Sequence, residues 1–245
     1  MSAPRFYHPG ALSPGHETTL PDNAAIHASK ALRMQVGDAV ILFNGDGHDY
    51  LGKLTSVRKQ EVNALTIEAH PRPTESPLKI TLAQAISSGD RMDFTIQKAV
   101  EMGAFAIQPI ASQRSVVKLA GERAEKRREH WQNVAISACE QSGRAFVPQV
   151  ASPLSLPEWL AQKPAADALI TLAPNAPQTL PQLKLTGSNI CLLIGPEGGL
   201  TDQEIDMAAQ HGFTPVRMGP RVLRTETAAL AAIASMQILW GDFTA

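Results

Sequence analysis

Apolar runs alternate with amphipathic segments along the chain after Pro77. The short apolar runs predict buried strands and read, in chain order, KITLAQAI, FAIQPI, FVPQV, ADALITLA and NICLLI. The segments with helical patterning are DRMDFTIQKAVEMG, a long stretch near Gly121 to Ser142, LPEWLAQ and two closing helices. Such alternation is typical of a mostly parallel sheet covered by helices, so we expect an α/β fold.

The pattern before residue 70 is different, because short strands follow one another without intervening helices. An apolar run at Ala39 to Phe43, a glycine-rich turn, a strand near His48 to Leu54 and another at Val62 to Ala69 predict a small β-barrel or sandwich. The proline-rich stretch HPRPTESP is typical of a connector. We therefore expect two domains, at residues 1–72 and 73–245.

Composition adds limits to this picture. The 245 residues are 44% hydrophobic and carry a net charge of -1, which indicates a globular chain. We find no export signal and no apolar stretch of roughly 20 residues, so we expect a cytoplasmic protein without a membrane segment. Cys139 and Cys191 are too far apart for a metal pair and the histidine spacing fits no ligand motif, so no metal is expected.

A glycine-rich turn, IGPEGGLTDQEI, follows the last apolar run. Gly198 and Gly199 permit positive φ, and Thr201 with Glu204 predicts a capping box that begins a helix. The turn matches neither the P-loop nor the dinucleotide fingerprint, and Glu197 would repel phosphate. The pattern favours a neutral or partly cationic ligand held by main-chain groups, or else a tight turn with no ligand.

The segment VRMGPRVLRTETAALAAIASMQILW repeats this arrangement. It predicts a short strand near Thr214 to Met218, a turn at Gly219, a basic crossing and Thr225 as the N-cap of an alanine-rich helix. That helix is apolar on nearly all sides, so we expect burial against the sheet and against either the core or a second subunit.

Together these two segments resemble the knotted SPOUT-class methyltransferases. Within that class, LLIGPEGGLTDQEI followed by MGPRVLRTETAALAAIA resembles the bacterial ribosomal RNA small subunit methyltransferase E family, which methylates N3 of a uridine in 16S rRNA. IQKAVEMGAFAIQPI and AISACEQSGR extend the resemblance over the whole chain. It implies a trefoil-knotted α/β domain that binds S-adenosylmethionine (AdoMet), a preceding PUA-like β-barrel and a homodimer. Composition and periodicity do not indicate the knot.

The resemblance also implies which residues hold the cofactor. Three loops, mapped to Thr171 to Pro174, Ile194 to Gly199 and Met218 to Thr225, would form the pocket. The implied cofactor-binding residues are Leu172, Ala173, Ile194, Gly195, Glu197, Gly198, Gly199, Met218, Gly219, Leu223 and Thr225. For Leu172 and Ile194, core packing is an equal alternative.

The implied reaction requires uridine N3 to lose its proton. A general base or cations near the two carbonyl oxygens would favour the anionic base. We expect Arg221 or Arg224 to be the electrostatic group and Glu140 to orient the base or accept the proton. Two structural alternatives stay open: CEQSGR as a polar helix end, and Glu226 as a favourable charge in the first turn of a helix.

Contacts with RNA require exposed basic or stacking groups. The predicted RNA-binding residues are Arg5, Tyr7, Lys30, Arg33 and Arg144. The expected substrate is 16S rRNA, favoured as the assembled 30S subunit. Two alternatives remain: another SPOUT enzyme, such as a tRNA ribose 2′-O-methyltransferase, and a non-catalytic RNA-binding assembly factor.

Overall fold

The computed structural model describes residues 3–59, 61–115 and 121–244, which fall into two compact units. The first unit combines Met1–Glu75 with Cys139–Val147, and the second combines Ser76–Ala138 with Pro148–Ala245. The chain therefore leaves the first unit after Glu75 and returns to it for one short segment.

The first unit is built on a five-stranded sheet. Its strands are β1 (Arg5–Tyr7), β2 (Glu17–Thr19), β3 (Ala39–Phe43), β4 (His48–Val57) and β5 (Val62–Pro71). The spatial order is β1-β3-β4-β5-β2, with β1 parallel to β3 and the other neighbours antiparallel. A short helix, α1 (Asp22–Ile26), continues into a π-helical turn at His27–Ala31.

Side chains on one face of this sheet form the core of the first unit. Along β3, Val40 and Leu42 are buried and share one face, whereas Ala39 is exposed and Ile41 is half-buried; Phe43 at the end of the strand is buried as well. They pack in one cluster with Phe6 and Val62. The predicted strands at residues 39–43, 48–54 and 62–69 are confirmed.

The second unit is built on a parallel sheet. Its strands are β6 (Lys79–Ala85), β7 (Ala104–Ala111), β8 (Gln149–Val150), β9 (Leu154–Ser155), β10 (Ala168–Leu172), β11 (Gln178–Thr179), β12 (Asn189–Ile194) and β13 (Thr214–Arg217). The order is β11-β13-β10-β12-β6-β7-β8, and β9 pairs with β7. Every neighbouring pair is parallel, which confirms the predicted α/β class.

The helices of the second unit are α2 (Asp90–Glu101), α3 (Gly121–Ser142), α4 (Leu156–Ala161), α5 (Asp202–Gln210) and α6 (Thr225–Trp240), with a 3₁₀ turn at Leu180–Gln182. The last residues of α3 group with the first unit. Thr201 caps α5 through the predicted capping box with Glu204. Among the described residues, no helix has the length and apolarity needed to cross a membrane.

Strand β12 lies near the centre of the parallel sheet, between β10 and β6. Its residues Ile190 to Ile194 are all buried, so the near-continuous apolar run fits a strand covered on both faces. The run FVPQV contributes only β8, because Pro148 has no N–H to donate to a ladder.

The strand order reverses between β6 and β12. From β6 the chain proceeds to β7 and β8 on one side, whereas β12, β10 and β13 lie on the other. In parallel α/β sheets, ligands bind outside the carboxyl ends of the strands at such a reversal. We therefore expect a ligand site at the loops after β6 and β12.

Candidate functional site

Three loops leave one edge of the sheet after the adjacent strands β13, β10 and β12. The carboxyl ends of parallel neighbours meet at the same edge, so the loops after Leu172, Ile194 and Arg217 lie side by side. The N–H of Ala173 donates to the carbonyl of Val216 at 2.9 Å, which extends the pairing of β10 and β13 to their ends. The structure thus brings together the three segments singled out in the sequence.

The turn after β12 depends on two glycines. A Cβ at residue 195 would lie 2.6 Å from the backbone nitrogen of Leu200, which no relaxed structure allows. Gly199 has φ of 68°, in the left-handed region. The geometry of the turn therefore requires glycine at 195 and favours it at 199.

A side chain joins this turn to the loop after β13. The hydroxyl of Thr225 donates to the carbonyl of Gly195 at 2.6 Å, and its oxygen accepts from Nε2 of Gln84 at 2.9 Å. The expectation that Thr225 is an N-cap is wrong: Arg224 is the N-cap and Thr225 is the first helical residue. The reason is that the Thr225 hydroxyl donates to the neighbouring loop instead of accepting from its own helix.

The carboxylate of Glu197 contacts the loop between β6 and α2 and the first turn of α2. Its Oε1 accepts from Ser88 N at 2.9 Å, from Ser88 Oγ at 2.8 Å and from Arg91 Nη1 at 3.0 Å. Burial acts to raise the pKa of Glu197, but these hydrogen bonds outweigh it and lower the pKa to about 2. Glu197 therefore stays ionised at neutral pH and ties together the two loops at the strand-order reversal.

A further loop, after β7, contacts the same turn. Arg114 Nη1 donates to the carbonyl of Gly198 at 2.7 Å, and the N–H of Gln113 donates to Glu204 at 2.7 Å. Sequence reasoning missed these contacts, along with those of Ser88, Arg91 and Gln84. Only Gln84 gave a signal, as a polar residue inside the apolar run KITLAQAI.

The loop after β13 carries exposed basic groups. Arg221 and Arg224 are both exposed, and Val222 between them is 81% exposed. At the carboxyl end of β13 lies a cleft of about 320 Å³. Its lining consists of Thr179, Pro181, Arg217, Met218, Gly219, Ser235, Ile238 and Leu239. Met218 and Gly219, both predicted to hold the cofactor, therefore border a largely apolar cleft.

The remaining predicted cofactor residues differ in burial. Ile194 is 2% exposed and pairs in register with Gln84, and Ala173 is 6% exposed. Leu172 and Leu223 are half-buried. The side chain of Ile194 is thus part of the core, whereas Leu172 and Leu223 keep accessible surface beside the loops.

Glu140 belongs to the first unit. Its Oε1 accepts from the N–H of Tyr7 at 3.0 Å. Burial raises the pKa of this carboxyl, against the opposing effect of the Tyr7 N–H and of His27 and Arg5. Glu140 therefore anchors strand β1 at the end of α3.

Arg5 and Arg144 also lie in the first unit, in an ionic network in which Arg144 and Asp49 are buried, Arg5 is half-buried and Glu75 is exposed. Arg144 is 4% exposed and forms an ion pair with Glu75, with Nε 3.1 Å from Oε1. Arg5 pairs with Asp49, lies 4.7 Å above the Phe43 ring centroid and donates from Nη2 to the carbonyl of Arg144 at 3.0 Å. Arg5, which was predicted to contact RNA, thus stacks on an aromatic ring of its own unit.

Lys30 and Arg33 differ from these two arginines because they are exposed. Lys30 is in the π-helical turn, and Arg33 follows it with φ of 54°, in the left-handed region. Of the four basic residues predicted to contact RNA, only these two present their side chains on the surface of the first unit.

The two thiols are buried, and burial raises the pKa of both Cys139 and Cys191 to about 12. They are protonated at neutral pH and do not act as nucleophiles. The part of the chain that the structure describes contains no cluster of three potential metal ligands.

Family models now define the class of protein. A model described as RNA methyltransferase domain matches residues 74–237, and one described as RNA methyltransferase PUA domain matches residues 20–67. Fold and matches together define an RNA methyltransferase with the SPOUT-type α/β architecture and an N-terminal PUA-like domain.

The particular family follows from the relatives. The chain is 33% identical over 241 residues to ribosomal RNA small subunit methyltransferase E of Buchnera aphidicola, covering 98% of each chain. It is 34% identical over 232 residues to the Bacillus subtilis protein of the same name, covering 88% of this chain and 89% of that one. The chain belongs to the ribosomal RNA small subunit methyltransferase E family.

Solved structures agree with this assignment. A family member from Neisseria gonorrhoeae bound to S-adenosyl methionine is similar with a TM-score of 0.91 and 45% identity, over 99% of this chain and 100% of that chain. A Legionella pneumophila protein in complex with the same cofactor has a TM-score of 0.96 at 37% identity, with the same coverage.

Proposed function

We propose that this protein transfers a methyl group from AdoMet to N3 of a specific uridine in 16S rRNA, within the assembled 30S subunit. The observation that carries the proposal is the Thr225–Gly195 hydrogen bond, which holds together the two loops that bear the family motif. The names of the full-length relatives and the AdoMet in two similar structures support it.

The residues of these loops can accommodate AdoMet. A Cβ built at Gly199 or Gly219 meets no atom within 4 Å, so the backbone at both turns is open to a ligand. The cleft beside Met218 lies within the size range of small-molecule sites and is apolar enough for an adenine ring. We assign the ring to Met218, which lines this cleft, and to Leu172 and Leu223, which keep accessible surface on the neighbouring loops. Main-chain contacts are assigned to Gly195, Gly198 and Gly199, and Ala173 and Ile194 are the buried side chains of the same loops.

When bound, AdoMet supplies a methyl group that its sulfonium already activates. The protein must then hold N3 in line and favour the deprotonated base. Arg221 and Arg224 are exposed cations on the loop bordering the cofactor residues, and we assign them the stabilisation of charge on the uracil carbonyl oxygens. Glu197 keeps its loop in place through Ser88 and Arg91, and Glu140 organises the first unit through Tyr7.

Binding of RNA is assigned to the PUA-like domain, residues 1–72, and catalysis to residues 73–245. Lys30 and Arg33 are the exposed cations that we expect to contact phosphates. We propose a cytoplasmic homodimer with a trefoil knot in the second domain. The exposed apolar side chains Ile238 and Leu239, at the end of α6, support the dimer.

The test is methyl transfer from labelled AdoMet to 30S subunits, free 16S rRNA and bulk tRNA, each from cells lacking this protein, followed by nucleoside analysis. We expect N3-methyluridine in 16S rRNA, formed fastest on 30S subunits. Label on tRNA ribose would assign the protein to another SPOUT branch. AdoMet binding without transfer to any of the three RNAs would contradict the proposed substrate.

A further inference from the structure

The side chain of Gln84 is fully buried at the carboxyl end of β6. Its Nε2 donates to the carbonyl of Ala85 at 3.0 Å and to Thr225 Oγ1 at 2.9 Å. Its Oε1 is buried and has no hydrogen-bond partner among the residues that the structure describes. A buried glutamine with an unmatched acceptor costs stability, so core packing alone does not explain this residue.

The orientation of the amide follows from its partners. The carbonyl of Ala85 only accepts hydrogen bonds, so the Gln84 atom that faces it must be the nitrogen. Rotating the amide by 180° would place two oxygens against each other. The unmatched oxygen is therefore a consequence of directing both N–H groups towards Ala85 and Thr225.

This orientation determines what the Thr225 hydroxyl does. A hydroxyl has one proton, and the N–H of Gln84 occupies a lone pair on its oxygen, so the proton points to the carbonyl of Gly195 at 2.6 Å. These two hydrogen bonds, from Gln84 to Thr225 and from Thr225 to Gly195, form a relay. The relay joins the ends of three strands: β6 through Gln84, β12 through Gly195 and β13 through the loop before Thr225. Two of these strands carry the loops that bear the family motif.

We propose that Gln84 is a positioning residue for the cofactor pocket and that it acts through Thr225. It orients the Thr225 hydroxyl so that the loops after β12 and β13 are held at a fixed separation before AdoMet binds. The inference rests on the proposed function, because it assumes that these loops hold AdoMet.

A second glutamine provides a matched control. Gln108, on β7, is also buried, and its Nε2 also donates to the carbonyl of the next residue, Pro109, at 2.9 Å. Its other bond goes to the carbonyl of Ser152 at 3.0 Å rather than to a cofactor loop. Replacing Gln108 thus removes the same kind of side chain without touching the relay.

The experiment makes two measurements on each protein: the AdoMet dissociation constant, by calorimetry, and the melting temperature. The proteins are the unaltered chain and the variants Gln84→Met, Gln108→Met, Thr225→Val, Thr225→Ser and Gln84→Met/Thr225→Val. We expect Gln84→Met to weaken AdoMet about five- to tenfold, as the loss of one hydrogen bond implies, without lowering the melting temperature. Gln108→Met should change affinity less than about twofold, and Thr225→Ser, which keeps the hydroxyl, should restore most of the affinity lost in Thr225→Val. In the Thr225→Val background, Gln84→Met should have no further effect.

Each other result overturns the inference. Equal affinity of Gln84→Met and the full chain would show that the relay does not position the pocket, as would additive losses in the double variant. If Gln84→Met fails to fold, Gln84→Leu is measured in its place; if both fail to fold, Gln84 serves stability and not positioning. Failure of the unaltered chain to bind AdoMet would instead contradict the proposed function, and this result differs from a failure of the Gln84 inference, in which the unaltered chain does bind AdoMet.

Discussion

Two arginines of the first unit and two of the second have opposite surroundings. In the first unit, Arg144 is 4% exposed and paired with Glu75, and Arg5 is paired with Asp49. In the second unit, Arg221 and Arg224 are exposed on the loop that follows β13. The same residue type therefore forms structural ion pairs at two positions and is exposed at two others, and only the fold distinguishes them.

The largest effect is expected when the ionic network of the first unit is broken. Glu75→Ala removes the carboxylate that neutralises buried Arg144 and should lower the free energy of unfolding by about 3 kcal/mol. Chemical denaturation measures this change. Glu122→Ala is the control, because its ion pair with Lys126 is exposed and should contribute less than about 0.5 kcal/mol. Equal losses for the two variants would contradict a structural role for the network.

The next effect concerns the arginines of the second unit. Arg221→Ala or Arg224→Ala should lower kcat about 100-fold, because a preorganised cation is lost where negative charge develops. The melting temperature should not change, since both side chains are exposed. Arg127→Ala, an exposed arginine on α3, is the control. Unchanged kcat in both loop variants would contradict the proposed electrostatic role.

A smaller effect tests the backbone of the proposed cofactor loops. Gly195→Ala places a Cβ against the Leu200 nitrogen and should weaken AdoMet by at least about tenfold. In Gly198→Ala the new Cβ meets the flexible side chain of Arg114 at 3.3 Å, so the loss should be smaller. Calorimetric titration separates the two, and the reverse ranking would count against the geometry of the turn.

The smallest effect is expected for the pair of Glu197 with Arg91 in the second unit, which is more exposed than the pair of Arg5 with Asp49 in the first. Because the pKa of folded Glu197 is lowered to about 2 from 4.5, it contributes stability that is present above pH 4.5 and lost as pH falls towards 2. Glu197→Gln should lower the free energy of unfolding by about 1 kcal/mol at pH 7, discounted for solvent exposure. Denaturation curves from pH 7 to pH 2.5 should converge, and a constant difference would contradict the depressed pKa.

The sequence predicted local structure well because local patterns determine it. Strand β3 matches the predicted Ala39 to Phe43, helix α3 matches Gly121 to Ser142, and the capping box at Thr201 is present. These elements depend on hydrophobic periodicity and on residues three or four apart. Short strands such as β9 and β11, of two residues each, give no such pattern and were missed.

The candidate site was predicted only where its residues are close in sequence. The loops after β12 and β13 carry recognisable motifs, but their contacts come from far away: Gln84 is 141 residues from Thr225, and Ser88 is 109 residues from Glu197. Likewise, the partner of Arg144 is 69 residues away. Burial of an arginine or the role of a threonine depends on such long-range pairs, which no local pattern specifies.

The most direct test of the account is nucleoside analysis of 16S rRNA from cells lacking this protein, complemented with the unaltered chain or with the Arg221→Ala/Arg224→Ala double variant at equal abundance. We predict that N3-methyluridine is missing without the protein, restored by the unaltered chain and absent with the variant. If N3-methyluridine persists in cells lacking the protein, or is restored equally by the variant, the proposed reaction or its assignment to the second unit is wrong.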